Sequence, residues 1–331
     1  MKIDVFNHVF PPNLFAKLAE IMPPEPIRRW GQMTTMIDPE ARLRMMDAFP
    51  DYAQVLSLSQ PPLEAIGGPD VSPELARIGN DGMADMCKKW PDRYVGFIAS
   101  LPMNNPDAAV KECVRAVREL NALGIQIHSN VLGKPLDLPE FYPIFETMHR
   151  LQRPVWIHPA RPATHPDYRT ENKSMYEIWW GFGWAYETTA AMCRIVFSLM
   201  FEKLPGLMVI AHHMGAYVPH AEGRFQYWEP LGQRDFSDYS EINAGMKRPM
   251  IEYFKMFYGD TAMFGAGPAT QAGVEFFGPG HCIFATDCPY DNVGGSKLIK
   301  DTLAVVDSLR VTATERDAIY SGNFKKMVGL K

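Results

Sequence analysis

The sequence predicts an α/β protein of the (β/α)8-barrel class with long loops on its catalytic face. Three observations predict it. Eight short apolar, β-branched runs recur along the chain, and the segments between them are long enough for crossover helices. The glycine-rich phosphate turn that opens many doubly wound sheets is missing, since Val9-Phe10-Pro11-Pro12 follows the first run.

In chain order the expected strands are Lys2 to His8, Tyr52 to Ser59, Tyr94 to Pro102, Gly124 to Asn130, Pro154 to Pro159, Leu207 to His213, Met256 to Ala262 and Cys282 to Pro289. Apolar residues at three- and four-residue spacing predict helices over Asp38 to Phe49, Asn105 to Leu123, Pro139 to Leu151, Tyr186 to Leu204 and Asn323 to Leu330. Two stretches read as loops elaborating the mouth: proline-bearing Phe10 to Ile37 and aromatic Arg161 to Trp184. Met175, Tyr176, Trp179, Trp180, Phe182 and Trp184 are large apolar groups for a solvated loop. They are expected to cover a pocket or a subunit interface, with ordinary core packing as the alternative. No repeat or flexible linker divides residues 1–331, so one domain is expected.

Composition narrows the function. With 47% hydrophobic and 21% charged residues, the chain reads as an ordinary globular protein. A net charge of -5 without a basic, aromatic-interleaved run argues against nucleic acid as a partner. No apolar run is long enough to cross a membrane, and the N-terminus lacks the basic and apolar regions of an export signal. Cys87, Cys113, Cys193, Cys282 and Cys288 show no CxxC spacing, which fits a reducing cytoplasm rather than a disulfide framework.

The polar residues fall at the carboxyl ends of the expected strands: His8, His128, His158, His212, His213, Asp260 and Asp287. In a parallel barrel those ends meet at one mouth. His8, His158 and Asp287 form a candidate set for a catalytic metal, which commonly takes three protein ligands and leaves a position open. The same histidines also suit metal-free acid and base catalysis near neutral pH. His128 is expected to bind a substrate oxygen or to cap its strand. Asp260 is expected to orient a histidine, and Glu187 to sit in the first turn of a helix as a capping or dipole-compensating group. The aromatic stretch ending at Trp184 suggests a flat or apolar substrate body.

At these residues the chain resembles the amidohydrolase-2 family, a branch that includes aminocarboxymuconate-semialdehyde and γ-resorcylate decarboxylases. The resemblance runs from Lys2-Ile3-Asp4-Val5-Phe6-Asn7-His8 through Asp38-Pro39-Glu40-Ala41-Arg42 and Pro91-Asp92-Arg93-Tyr94. It continues through Trp156-Ile157-His158-Pro159, Ile210-Ala211-His212-His213-Met214-Gly215 and Phe284-Ala285-Thr286-Asp287-Cys288-Pro289 to Gly322-Asn323. It implies a distorted barrel, often a homodimer, that acts on small aromatic or unsaturated carboxylic acids, with zinc or manganese as cofactor. By the same resemblance His158 and Asp287 are metal ligands, and Arg42 pairs with a substrate carboxylate. His213 handles protons, its spacing to Pro219 fitting the pattern better than that of His212.

One departure from the family bears on the metal. The family opens with His-x-His or Glu-x-His, whereas this chain has Phe6 before His8. Residues two apart on a strand share a face, so Phe6 is expected to project into the site beside His8 as a substrate contact, since a phenyl ring ligates no metal. Decarboxylation is the leading expectation. Hydrolysis or hydration with the same parts, and a catalytically reduced barrel acting as a binding or assembly protein, are the alternatives.

Overall fold

The computed structural model describes residues 1–330; Lys331, the last residue of the expected domain, lies outside the described residues. Eight parallel strands follow one another in chain order: β1 (Lys2–Val9), β2 (Tyr52–Leu58), β3 (Tyr94–Ser100), β4 (Gly124–His128), β5 (Val155–His158), β6 (Val209–Ala211), β7 (Tyr258–Asp260) and β8 (Cys282–Ile283). Each pairs with the next. Backbone bonds from Val5 N to Phe284 O, His8 N to Cys288 O and Asp287 N to Phe6 O join the last strand segment to the first and complete the ring. All eight expected strands are present, and the last three, Val209–Ala211, Tyr258–Asp260 and Cys282–Ile283, are the shortest.

Short strands rich in Val and Ile are what a sheet buried on both faces requires. Ile3, Val5, Phe6, Val55, Ile98, Trp156, Ile210, Ile283 and Ala285 form one buried cluster, to which Phe324 and Val328 of the last helix (Asn323–Val328) are added. A second, larger cluster takes the alternate strand residues, such as Leu56, Phe97, Ile127 and Ile157, and packs them against the helices. The two clusters are the inner and outer faces of the pleat.

The structure corrects three readings. Phe10 to Ile37 is mostly helical, with helices at Pro12–Ile21, Pro24–Gly31 and Thr34–Ile37. Its prolines punctuate helix starts: a proline in the first turn has no N–H to lose and a φ already set for helix. The expected helix from Tyr186 begins earlier, at Trp184–Phe197, continuous with a π-turn at Trp179–Gly183, and breaks at Leu199, whose φ is 60°. Helices at Ser72–Lys89, Gly267–Phe277 and Ser296–Ser308 fill crossovers to which no pattern was assigned. Asp38 caps the helix Pro39–Met46, its Oδ1 accepting from the N–H groups of Glu40 and Ala41. Among the described residues no helix is long and apolar enough to cross a membrane.

Candidate active site

Four side chains converge where the strands end. One donor atom from each of His8, His158, His212 and Asp287 lies within 4.8 Å of the others, and all four residues are buried. Each comes from a different part of the ring: β1, the end of β5, the residue after β6, and the turn after β8. Asp287 is held in the left-handed region at φ 63°, which bends the chain back over the mouth.

Each imidazole is anchored through Nδ1. His8 Nδ1 donates to Leu58 O at 3.1 Å and His212 Nδ1 donates to Asp260 Oδ2 at 2.5 Å, while His158 Nδ1 lies between Gln60 Nε2 at 2.7 Å and Pro159 O at 2.8 Å. At His8 and His212 the anchor is an acceptor, so in the neutral ring the Nδ1 proton is fixed there and Nε2 keeps its lone pair, the arrangement usual for metal-binding histidines. His8 Nε2 lies 3.0 Å and His212 Nε2 3.5 Å from Asp287 Oδ1. With the proton on Nδ1 neither Nε2 has a hydrogen-bond partner, although both are buried. Orphaned lone pairs facing a carboxylate fit a cation between them, since buried polar atoms otherwise find partners.

The electrostatics have the same cause. Burial works against charge on His212, but the carboxylates of Asp260 and Asp287 outweigh it and hold the imidazole up to about 9. Burial likewise works against Asp287, but the His212 and His8 imidazoles beside it hold its carboxyl well below the usual range. His158 is pushed well down by burial and then by the neighbouring His8. Burial and the charge on His212 lower His213 to about 4.

Asp260 orients the pair after β6. While its Oδ2 holds His212, its Oδ1 accepts from the backbone N–H of His213 at 3.1 Å. His213 adopts φ 55°, donates Nδ1 to Ala262 O at 2.6 Å, and lies with its ring 3.7 Å from that of His212. The site therefore brings both histidines in: His212 joins the donor cluster and His213 stands beside it. The resemblance had offered His212 only as an alternative to His213, and it overlooked His212 as a donor. The pairing was available in the sequence, because Asp260 ends the strand next to the one that His212 follows.

Phe6 does project inward with His8. It is fully enclosed, its ring 4.3 Å from His212, 5.1 Å from His8 and 5.8 Å from His158. It is corrected from a substrate contact to the floor under the donor rings. A register shift in β1 between Asp4 and Asn7 lets Phe6 and His8 pack on the same group of rings while Asn7 turns the other way.

Arg42 is corrected as well. It is fully buried, and its guanidinium donates to Gln54 Oε1 (2.6 Å), His8 O (2.8 Å), Thr35 O (3.1 Å) and Asn7 Oδ1 (2.6 Å). With four of its five N–H groups engaged by the scaffold, it has no free two-donor edge for a substrate carboxylate and instead fixes the backbone of His8. Nearby, Asp4 accepts from Tyr52 and Thr286, tying the segment after β8 to the same network.

The remaining candidates lie around the rim. Trp184 sits with its ring 5.5 Å from that of His158 and its Nε1 donating to Arg161 O. His128 lies beside His158, its register partner across β4 and β5, with rings 5.3 Å apart; burial and His8 lower it to about 3, and its Nε2 is unpartnered. Glu187 lies inside the continuous helical run that begins at Trp179, not at a free helix start, and it pairs with Arg161 at 3.2 Å, which joins the loop after β5 to that helix.

A closed parallel barrel with imidazole and carboxylate donors converging at its strand ends is a catalytic architecture, and this chain belongs to the amidohydrolase family, whose sequence profile matches residues 3–330. It is 33% identical over 294 residues to 2-amino-3-carboxymuconate-6-semialdehyde decarboxylase of Dictyostelium discoideum, covering 88% of this chain and 77% of that protein. It is 29% identical over 296 residues to γ-resorcylate decarboxylase of Rhodococcus jostii (strain RHA1), covering 85% and 87%. Its fold matches a crystal structure of 2,6-dihydroxybenzoate decarboxylase complexed with 2,6-dihydroxybenzoate, with a TM-score of 0.81, 25% identity, and coverage of 99% of this chain and 98% of that one.

Proposed function

We propose that this chain is a metal-dependent, non-oxidative decarboxylase of a small aromatic or unsaturated carboxylic acid, the whole chain forming one catalytic domain. The observation that carries this reading is the buried His8, His158, His212 and Asp287 cluster, two of whose imidazole nitrogens lack any partner, in a chain whose named relatives are decarboxylases.

Those four residues would hold a divalent ion, zinc or manganese, both of which accept imidazole and carboxylate donors. His212 takes the place left by Phe6 in the donor count. When bound, such an ion supplies Lewis acidity toward a carboxylate or an adjacent oxygen of the substrate.

The chain's own residues do the rest. His213, with Nδ1 fixed on Ala262 O, has Nε2 available to take up a proton and deliver it to the carbon that loses carbon dioxide. The carbon–carbon bond breaks, its electron pair stays on the ring or alkene carbon, and that carbon takes the proton, so one proton is consumed per carbon dioxide released. Asp260 holds His212 and His213 in register for this transfer, while Trp184 offers a flat wall beside His158 against which an unsaturated acid can lie. His128 faces the same space and is read as a substrate contact.

The exposed aromatic segment around Tyr176, Trp180, Phe182 and Tyr186 is read as the face of a homodimer, and the five free cysteines as those of a cytoplasmic protein. The test combines elemental analysis with product analysis. Near one equivalent of zinc or manganese per chain, and carbon dioxide released from a hydroxybenzoate panel in proportion to metal content, is the expected result. Water uptake without carbon dioxide, or full activity after metal removal, would overturn it.

A further inference from the structure

Beside His128 lies a small cavity, lined by Leu58, Ser59, Glu64, Ser100, Gln126 and His128 among others, of about 10 Å³. That is room for a single oxygen- or nitrogen-sized group. Four of its polar atoms are buried without a hydrogen-bond partner: Glu64 Oε1, Ser100 Oγ, Gln126 Oε1 and His128 Nε2. The four residues are between 3% and 6% exposed. One such orphan in a native core calls for an explanation, and four around one small space call for an occupant.

The topology brings them there. Ser100 ends β3, and Gln126 and His128 stand two apart on β4 and so share its inner face. Glu64 enters from the one-turn helix Leu63–Ile66 after β2. The cavity and the donor cluster share an anchor, because the Leu58 carbonyl accepts from both His8 Nδ1 (3.1 Å) and Gln126 Nε2 (3.2 Å). His128 then bridges toward His158.

We propose that this cavity is a subsite of the same active site, built to receive one hydrogen-bond-donating substituent, a hydroxyl or amino group, carried by the acid substrate. The proposal rests on the carboxylic-acid reading above. The chemistry of the lining selects a donor. Gln126 holds Leu58 O through Nε2 and is left with its carbonyl oxygen unpartnered, and Glu64 has an unpartnered carboxyl oxygen that accepts when ionised. A hydroxyl would give its proton to one of these and accept from Ser100 or His128, pairing two of the four orphaned atoms. An acid without such a group would leave all four unpaired, which is how a polar subsite rejects an analogue that lacks the group it was built for.

Metal-loaded protein titrated calorimetrically with benzoate, 2-, 3- and 4-hydroxybenzoate and 2-aminobenzoate tests this. We expect at least one substituted acid to bind about tenfold or more tighter than benzoate. In Ser100→Ala and Glu64→Gln, one mild and one isosteric change, that ratio should fall toward unity. A ratio that survives both variants, or that was never above unity, overturns the subsite. Crystals soaked with phenol, which has a hydroxyl and no carboxylate, separate this from failure of the carboxylic-acid reading. A phenol oxygen within about 3.2 Å of Glu64 and Gln126 supports the subsite even if no acid binds. A lone water persisting there, or an empty cavity, overturns it.

Discussion

His212 Nδ1 stands 2.5 Å from Asp260 Oδ2, and this contact turns the opposite ring nitrogen toward Asp287. The same carboxylate holds the His213 backbone, so one residue sets the positions of two adjacent imidazoles with separate tasks. Asp260→Asn removes the charge that fixes the His212 tautomer. Metal affinity should fall by about 10- to 100-fold in competition with a chromophoric chelator, while circular dichroism stays that of the folded barrel.

The two histidines should separate by what each loses. His212→Ala should lower metal content below that of wild type. His213→Ala should keep its metal and lower kcat by about 10²- to 10⁴-fold. Elemental analysis and steady-state rates on the same preparations check this, and the reverse pattern would exchange the two roles.

Arg42→Lys should cost stability. A lysine cannot reproduce four bonds made in fixed directions to Gln54, His8, Thr35 and Asn7. A loss of about 3 kcal/mol in urea unfolding is expected, with KM unchanged for the fraction that folds. A large rise in KM with no loss of stability would restore Arg42 as a substrate clamp.

Phe6→Ala should open a cavity beneath the donor rings and lower stability by about 3–5 kcal/mol, read as a shift in the denaturation midpoint at constant slope. Metal affinity should also fall, because the rings of His8 and His212 lose the surface they rest on.

Glu64 sets a pH dependence of stability. Burial raises its carboxyl from 4.5 to about 7, and the titratable neighbour in its cavity, His128, is lowered to about 3. A carboxyl raised on folding stabilises the native state fully below its unfolded value, and that contribution is lost as pH rises through the folded value. Stability should therefore decline between about pH 4.5 and 7, by up to about 3 kcal/mol. Glu64→Gln should flatten that decline in unfolding curves measured across the range.

Much of the barrel was legible in the sequence, because burial on both faces forces each strand to be a short apolar run and because polar residues stand out where those runs end. The order and parallel pairing of all eight strands follow from that pattern and from the crossover lengths between them. The helices within Phe10 to Ile37 were not legible, since a proline at a helix start and a proline in a loop look alike until the residues around them are packed.

The sequence by itself determined which residues reach the mouth: His8, His128, His158, His212, His213 and Asp287 each follow a run that can only be a buried strand. What each one does there was decided only by the tertiary structure. Whether an arginine meets a substrate or the scaffold depends on which acceptors surround its guanidinium, and Arg42 meets the scaffold because Asn7 faces it from one side of β1 and Gln54 from β2. Whether His212 or His213 enters the cluster depends on a backbone turn into the left-handed region at His213 and on the carboxylate of Asp260, some 47 residues further along the chain. Directions of bonds, and atoms left without partners, arise from contacts between distant segments, and no local spacing encodes them.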